Sequence, residues 1–384
     1  MKKICVIISS RASYSRFRTA LREINKCAKL MVVLTASASE DSRGNVKQQL
    51  LMDEIKNIHV INSLYKESTL AAQVKTTAET MYQLSDYFEK NTPEVVVTIA
   101  DRYETIATAI AASYMNIILV HIQGGEVTGN IDERVRHAVT KLSDFHLVSN
   151  NRAKQYLIKM GEEEKRIKVT GCPSCDIADY VKKHKKDIQE IIDKYKLNRI
   201  IGNEHLVDVI EENFYVVIFH STTNEIDTLN KRLQALVNAL EKAEKTILWV
   251  QGNTDAGASE IEKYIAGDSR VCCIPPMESE DFLQLLVHSA GIIGNSSVAI
   301  RECSYLAVPA VNIGSRQFGR ERGNNVIDVG DSEQEILAGI NKLEHMVCTP
   351  SCLYGDGKAG SRIAEYILGY ALAPKKNITY VEEL

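Results

Sequence analysis

The apolar residues of this chain gather in short, nearly unbroken runs rich in valine and isoleucine. That pattern limits the fold more than any other feature. KICVIIS, KLMVVLTAS, PEVVVTIA, IILVHI, FHLVS and RIKVTG fall in the first half; YVVIFHS, KTILWVQG, RVCCIPP, GIIGNSS, PAVNIG and VIDVG fall in the second. A strand with one wet face alternates apolar and polar residues. These runs do not, so they predict strands covered on both faces, as in a parallel sheet between helix layers. Helical patterns separate them, among them RFRTALREINKCA, ETIATAIAASYMN, LNKRLQALVNALEKA and DFLQLLVHSA. Strand–helix alternation of this kind predicts a doubly wound α/β fold. A chain of 384 residues is long enough for two such domains. The polar, helical stretch 176–212 interrupts the pattern and reads as the link. Residues 1–175 are therefore expected to form one Rossmann-like domain and residues 176–361 a second, the two facing each other across a cleft.

Charge and cysteine usage exclude several classes. A net charge of −4 supplies no basic field for nucleic acid or an anionic membrane. The amino-terminal run ICVII is too short for the core of a secretion signal, and Arg11 follows at once. No segment approaches the ~18 apolar residues that a membrane helix needs, so a cytoplasmic protein is expected. The nine cysteines are odd in number and several sit in apolar runs, which suits reduced, buried thiols. Cys172 and Cys175 form a C-x-x-C, but a zinc site needs two more ligands, and the pair Cys348 and Cys352 lies far away with different spacing. They read as structural, and no metal is expected.

Ligands of open α/β sheets bind outside the carboxyl ends of the strands. Polar residues directly after strands are thus the functional candidates. SSRASYS, ADRYET, QGGEVTGNIDE, HSTTNE, QGNTDAG, GNSSVAIRE and NIGSRQFGRERGNN occupy such places. They contribute Arg11, Asp101, Arg102, Glu126, Asp132, Glu133, His220, Asn253, Ser296, Ser297, Glu302, Arg316 and Arg320. In GNSSVAIRE a glycine turn is expected to lead into a helix whose free N–H groups and two hydroxyls suit a phosphate; the ordinary alternative is a helix cap by Ser296 or Ser297. There is no G-x-x-x-x-G-K-[ST] and no G-x-G-x-x-G after a strand, so neither a P-loop ATPase nor a standard NAD site is expected. Arg11, Arg102 and Arg316 suit a diphosphate, though each alone reads more often as a surface charge.

In HIQGGEVTGNIDERVRHAVTKLS, Gly124 and Gly125 allow a sharp turn or close approach to a ligand. Asp132 and Glu133 precede a helix, where acids are favoured for structural reasons alone. That accounts for one acid, not for both together with Glu126 and Asp101. Four carboxylates after the strands of one domain suggest proton transfer at carbon or oxygen. His121 reads as a hydrogen-bonded, semi-buried histidine and His137 as a capping or pairing residue. His220, ending the first strand of the second domain, either assists a phosphate near neutral pH or is structural.

Taken in order, ADRYE, HIQGGEVTGNIDERVRHAVTKLSDFH, GCPSCD, GNSSVAIRE and NIGSRQFGRERGNNV resemble the hydrolysing UDP-N-acetylglucosamine 2-epimerases. That family includes enzymes of bacterial sialic-acid and related nonulosonate pathways and the epimerase half of an animal bifunctional enzyme. The resemblance runs from residue 4 to residue 370. It implies a GT-B fold, with the C-terminal helix, 362–384, packing back on the first domain. It implies conversion of UDP-N-acetylglucosamine and water to N-acetylmannosamine and UDP through 2-acetamidoglucal, with no redox cofactor. Carried over by position, Asp101 matches an acid of the family, Asp132 and Glu133 its acidic pair, and His220 the histidine that assists the diphosphate. Arg11, Arg102, Asn253, Ser296, Ser297, Glu302 and Arg316 match UDP-binding positions, with Glu302 toward the ribose hydroxyls. Two departures stand out: Gln123, where relatives often carry glutamate, and Ser15, where they often carry glycine beside the phosphate. Glutamine is no base, so Glu126 takes that role or Asp132 and Glu133 suffice. A homodimer or homotetramer is implied, with the helix 151–161 as one apolar face for it.

Two other classes fit the architecture. A GT-B glycosyltransferase grips the same diphosphate but needs an acceptor. A sugar-nucleotide sensor binds UDP without exchanging a proton at C2. A GDP-linked or di-N-acetylated sugar nucleotide also remains open as substrate.

Overall fold

A computed structural model describes residues 1–41, 45–67, 69–99, 102–128, 131–197, 213–251, 257–266, 271–275, 277–369 and 376. The chain divides into two compact units. One comprises Met1–Val127, Ile131–Asp176 and Tyr354–Leu384; the other comprises Thr128–Asn130 and Ile177–Leu353. The chain re-enters the first unit at Tyr354, ahead of the expected 362.

The first unit holds strands β1 (Lys3–Ile8), β2 (Lys29–Leu34), β3 (Ile58–Val60), β4 (Val95–Ile99), β5 (Ile118–Ile122), β6 (Phe145–Val148) and β7 (Ile167–Val169). They form one parallel sheet in the order β3-β2-β1-β4-β5-β6-β7. Its helices are α1 (Arg11–Cys27), α2 (Val46–Met52), α3 (Leu70–Asn91), α4 (Thr105–Tyr114), α5 (Ile131–Leu142) and α6 (Asn151–Lys159). The chain then runs into α7 (Ser174–Lys183), within which the units divide. The unbroken apolar runs are explained by burial on both faces. Ile4, Val6 and Ile8 of β1 pack with Phe17, Leu21 and Ile24 of α1, whereas Cys5 and Ile7 pack with Leu84 and Phe88 of α3. Each such side chain contributes ~1.5–3 kcal/mol when fully buried.

The second unit holds β8 (Phe214–Ile218), β9 (Thr246–Val250), β10 (Val271–Ile274), β11 (Gly291–Gly294), β12 (Ala310–Ile313) and β13 (Val326–Val329) in the order β10-β9-β8-β11-β12-β13. Its helices are α8 (Ile188–Tyr195), α9 (Leu229–Glu241), α10 (Ala258–Ala266), α11 (Ser279–Val287), α12 (Glu302–Leu306) and α13 (Glu333–Leu343). Tyr215, Val217, Trp249 and Ile293 form its core with Leu233, Leu236 and Ile340. Both sheets reverse strand order once, between β1 and β4 and between β8 and β11. Those are the switch points where α/β sheets take ligands.

Helix α14 (Ala359–Gly369) packs on α1 and buries Ile363, Ala364 and Ile367 in the first unit's core. Asp176, in the GCPSCD stretch, holds its start. The carboxylate accepts from the N–H groups of Ala359 (2.8 Å) and Gly360 (2.7 Å) and from Thr19 Oγ1 (2.9 Å).

Two expectations need correction. The polar stretch read as a link is, as far as it is described, packed structure. Ile191 and Ile192 of α8 are buried, α8 packs on α11, and the buried Asp281 accepts from Lys186 (2.8 Å), Lys194 (2.5 Å) and Tyr195 (3.0 Å). An amphipathic stripe, not polarity, decided its place. The apolar residues of the helix expected to form an oligomer face also turn inward: Ala153 and Leu157 of α6 pack with Val148 and Ile167 of their own unit.

Candidate active site

In the first unit the loops after β1, β4 and β5 carry the chemistry. Ser10 ends the first loop and caps α1, its Oγ accepting from Ser13 N–H at 3.1 Å. The first turn of α1 then carries Arg11 and no acid, so the positive end of the helix is not neutralised from within. Ser15 lies one turn on, half-buried, with its hydroxyl donating to the Arg11 carbonyl (3.1 Å). Of the β4 loop, Asp101 lies outside the described residues. Arg102 is anchored by Glu104, whose carboxylate is wholly buried, at 2.7 Å.

The β5 loop opens with Gln123 in the left-handed region, φ 64°, and 1% exposed. Non-glycine residues pay for that conformation in strain and adopt it where surroundings hold them. Its amide is held at both ends: Nε2 donates to Cys172 Sγ (2.7 Å) and Oε1 accepts from Arg16 (3.4 Å). Cys172 also contacts Ser174 Oγ at 2.9 Å. The side chains of Cys172 and Cys175 are both buried. Among the described residues no group of three or more His, Cys, Asp or Glu gathers to hold a metal.

Gly125 has φ 77°, and a Cβ there would fall 2.3 Å from the Ala153 carbonyl oxygen. The packing of α6 thus requires this glycine, whether or not a ligand comes near. Glu126 is 5% exposed. Its carboxylate accepts from Ser149 Oγ (2.8 Å), and its carbonyl accepts from the fully buried Arg136 (2.6 Å). Asp132 and Glu133 sit half-buried in the first turn of α5. Glu133 faces His137 one turn on, at 3.5 Å. Burial, then the neighbouring Arg136, hold the His137 pKa below its ordinary value, against the pull of Glu133. His121 is hydrogen-bonded, with Thr140 Oγ1 at 3.3 Å, but is fully buried rather than semi-buried as expected.

In the second unit one buried residue joins three loops. Asn295 directly follows β11. Its side-chain Oδ1 accepts from His220 N–H (2.8 Å) and its Nδ2 donates to the His220 carbonyl (2.8 Å). Its own carbonyl accepts from Arg316 (3.0 Å) and from Gln317 Nε2 (2.8 Å). His220, the β11 turn and Arg316 are therefore held together. Gly294, with φ 139°, makes this possible: a Cβ would fall 1.9 Å from the Ile218 carbonyl oxygen. A second tie lies farther out. Glu225 accepts from Ser315 Oγ (2.7 Å) and pairs with Arg232, which is buried under the β8 and β12 loops.

The stretch after Ser296 is not the regular helix expected. Residues 297–301 form consecutive turns, and the helix proper, α12, starts only at Glu302. Arg301 has ψ −72° and no side chain caps the helix. Ser296, 7% exposed, accepts a long bond from Val298 N–H (3.4 Å). Glu302 is 9% exposed, and its Oε2 has no hydrogen-bond partner among the described residues. A buried carboxylate oxygen left this way is costly unless a ligand supplies the donor. Asn253 lies outside the described residues.

Sequence reasoning placed most of these side chains after the correct strands. It missed Asn295, Gln317, Arg136 and Cys172 as their supports. For Asn295 the signal was present: asparagine in a turn after a strand commonly bonds backbone.

Residues 66–368 match the family model described as UDP-N-acetylglucosamine 2-epimerase, and the chain belongs to that family. A Legionella pneumophila protein named UDP-N,N'-diacetylbacillosamine 2-epimerase (hydrolyzing) is 30% identical, over 94% of each chain. The polysialic acid biosynthesis protein P7 of Escherichia coli is 32% identical over 89% of this chain and 86% of its own. In fold, the chain is similar to the Methanocaldococcus jannaschii UDP-GlcNAc 2-epimerase solved with UDP-GlcNAc and UDP. The TM-score is 0.79 at 18% identity, covering 96% of this chain and 99% of that one. The architecture is the α/β pair of Rossmann-like units called GT-B. Among the described residues no helix is long and apolar enough to cross a membrane.

Proposed function

We propose that the protein is a hydrolysing 2-epimerase that converts UDP-N-acetylglucosamine and water to N-acetylmannosamine and UDP. The observation that carries this reading is the division of chemistry between the post-strand loops of the two units. Carboxylates gather after the strands of one unit. Arginine, serine hydroxyls and the buried, unpartnered Glu302 oxygen gather after those of the other. The first set suits a sugar ring that must lose and regain a proton. The second suits a nucleoside diphosphate, with Glu302 accepting from ribose hydroxyls and Arg316, Ser296 and Ser297 serving the phosphates.

A carboxylate removes the C2 proton as the C1–oxygen bond breaks and UDP departs, leaving 2-acetamidoglucal. Water then adds at C1, and a second acid delivers a proton to C2 from the opposite face. The base cannot be Gln123, which is an amide already held by Cys172. Glu126 is nearly inaccessible and accepts from Ser149. Asp132 and Glu133, half-exposed in the first turn of α5, fit the task better, with Asp101 as the opposite partner. His220 assists the departing diphosphate, where a histidine supplies a proton near neutral pH. In the first unit, Arg11, Ser15 and Arg102 carry the donors that suit an anion.

Turnover in D₂O followed by NMR tests this reading. The product should be N-acetylmannosamine with deuterium at C2. UDP release with C2 still protonated would overturn the epimerase reading. Little free sugar without an added acceptor would instead favour a glycosyltransferase. A second substrate reading, the same chemistry on a di-N-acetylated sugar nucleotide, is favoured by the 30% identity to the Legionella protein. A side-by-side comparison of both UDP-sugars, and of UDP with GDP as product inhibitors, separates them.

A further inference from the structure

The β8/β11 ladder ends at the pair Gly294↔Ile218, and Asn295 N–H still reaches the Ile218 carbonyl at 3.1 Å. Beyond that point the contact with His220 is made by a side chain. The Asn295 carboxamide takes the place of the missing peptide group, accepting from His220 N–H and donating to His220 C=O, both at 2.8 Å. Asn295 is fully buried, so its end of each bond is shielded from water. The same residue's backbone carbonyl holds Arg316 and Gln317. Side chain and main chain of one residue thus serve different parts of the site.

We infer that Asn295 is a positioning residue for the reaction, its carboxamide fixing His220 for the departing diphosphate while its carbonyl independently fixes Arg316. The inference rests on the functional reading given above. It separates two quantities that a merely structural residue would move together. Side-chain substitution leaves the Asn295 carbonyl in place, so UDP affinity should hold while turnover falls. Misplacing a reacting group by an ångström costs on the order of 10²-fold in rate.

Asn295→Asp adds a sharper readout. An ionised aspartate accepts from His220 N–H but turns a second acceptor toward His220 C=O. A protonated aspartic acid both accepts and donates, as asparagine does. Burial and the facing carbonyl both raise the pKa of the introduced acid. The activity of the variant relative to wild type should therefore rise as pH falls.

The test measures kcat, KM and UDP affinity by calorimetry for wild type, Asn295→Ala, Asn295→Asp and His220→Asn. For Asn295→Ala, kcat should fall ~10–100-fold and UDP affinity should stay within about two-fold. The kcat ratio of Asn295→Asp to wild type should climb between about pH 8 and pH 6. If Asn295→Ala fails to fold, the isosteric Asn295→Asp carries the test alone. Equal losses of kcat and UDP affinity, a flat pH ratio, unchanged turnover, or a silent His220→Asn would each overturn the inference. A wild-type protein that turns over no sugar nucleotide would overturn the functional reading itself, and would show this before any variant is made.

Discussion

Arg316 and Asp132 stand for the two kinds of work a side chain does in this proposal, and they should fail in different ways. One Arg316 N–H donates to the Asn295 carbonyl at 3.0 Å, which orients the side chain. A guanidinium has five donors in a rigid fork, a geometry that suits a phosphate oxyanion. Arg316→Ala should weaken UDP binding by ~1.5–3 kcal/mol, the range for a charge-assisted hydrogen bond. Calorimetry with UDP checks this, and unchanged affinity removes Arg316 from the site. Asp132 is proposed to move a proton, not to grip the nucleotide. Asp132→Asn should lower kcat by ~10²-fold or more with UDP affinity nearly intact. If Asp132→Asn is mild and Glu133→Gln is severe, the base is Glu133. At this scale the sequence pattern was enough to place acids and arginines directly after strands, because unbroken apolar runs mark where each strand ends. It could not name their supports. The bond from Gln123 to Cys172 joins residues 49 apart in sequence, and that from Asn295 to His220 joins residues 75 apart. No local pattern announces either.

Each element here is placed by a few buried contacts, and α14 is the clearest case. Its apolar stripe, Ile363, Ala364 and Ile367, was legible as an amphipathic helix. What ties its start is Asp176, almost two hundred residues earlier, which sequence reading saw only as part of a family motif. Burial raises the Asp176 pKa, against the N–H groups of Gly360 and Ala359 that favour the charged form. Asp176→Ala removes those acceptors and leaves two helix-start N–H groups unbonded. It should cost ~0.5–2 kcal/mol, the range for a lost helix cap, and speed amide exchange in α14 before other segments. Uniform exchange across the first unit would mean that the side-chain packing of α14, not its cap, holds it. The strands were the most legible elements, since unbroken valine and isoleucine runs have one good explanation. The turn after β11 was the least legible. Its glycine and serines predicted a helix start, but residues 297–301 form turns and the regular helix begins only at Glu302. The apolar residues of α6 and α8 were visible too, but not which core they enter.

Across the whole chain, buried ionisable groups set how stability responds to pH. His146 of β6 is fully buried. Its Nε2 lies 3.0 Å from Glu162, and its Nδ1 has no hydrogen-bond partner among the described residues. Burial holds its pKa below the ordinary 6.5, and the pull of Glu162 does not reverse this. The folded state therefore binds fewer protons than the unfolded state just below pH 6.5. Stability is highest above that value and falls as pH drops toward the depressed folded pKa. His59 and His137 are lowered too, with the same sign. The carboxylates act at lower pH. Glu162 is opposed by burial but held down by His146 and Lys376, from 4.5 to about 2. Asp53 is likewise opposed by burial but lowered below 3.8 by bonds from Arg18, Arg22 and Tyr14. Their contributions are complete above their ordinary values and fade as pH falls through the depressed ones. Asp144, raised by burial, has the opposite sign. Urea midpoints should thus decline from about pH 7 to pH 5 and decline again below pH 4.5. His146→Gln should flatten the first decline while the second persists, and Glu162→Gln should lower stability at neutral pH and flatten the second. An unchanged slope between about pH 7 and pH 5 in His146→Gln would assign that decline to His59 and His137 instead.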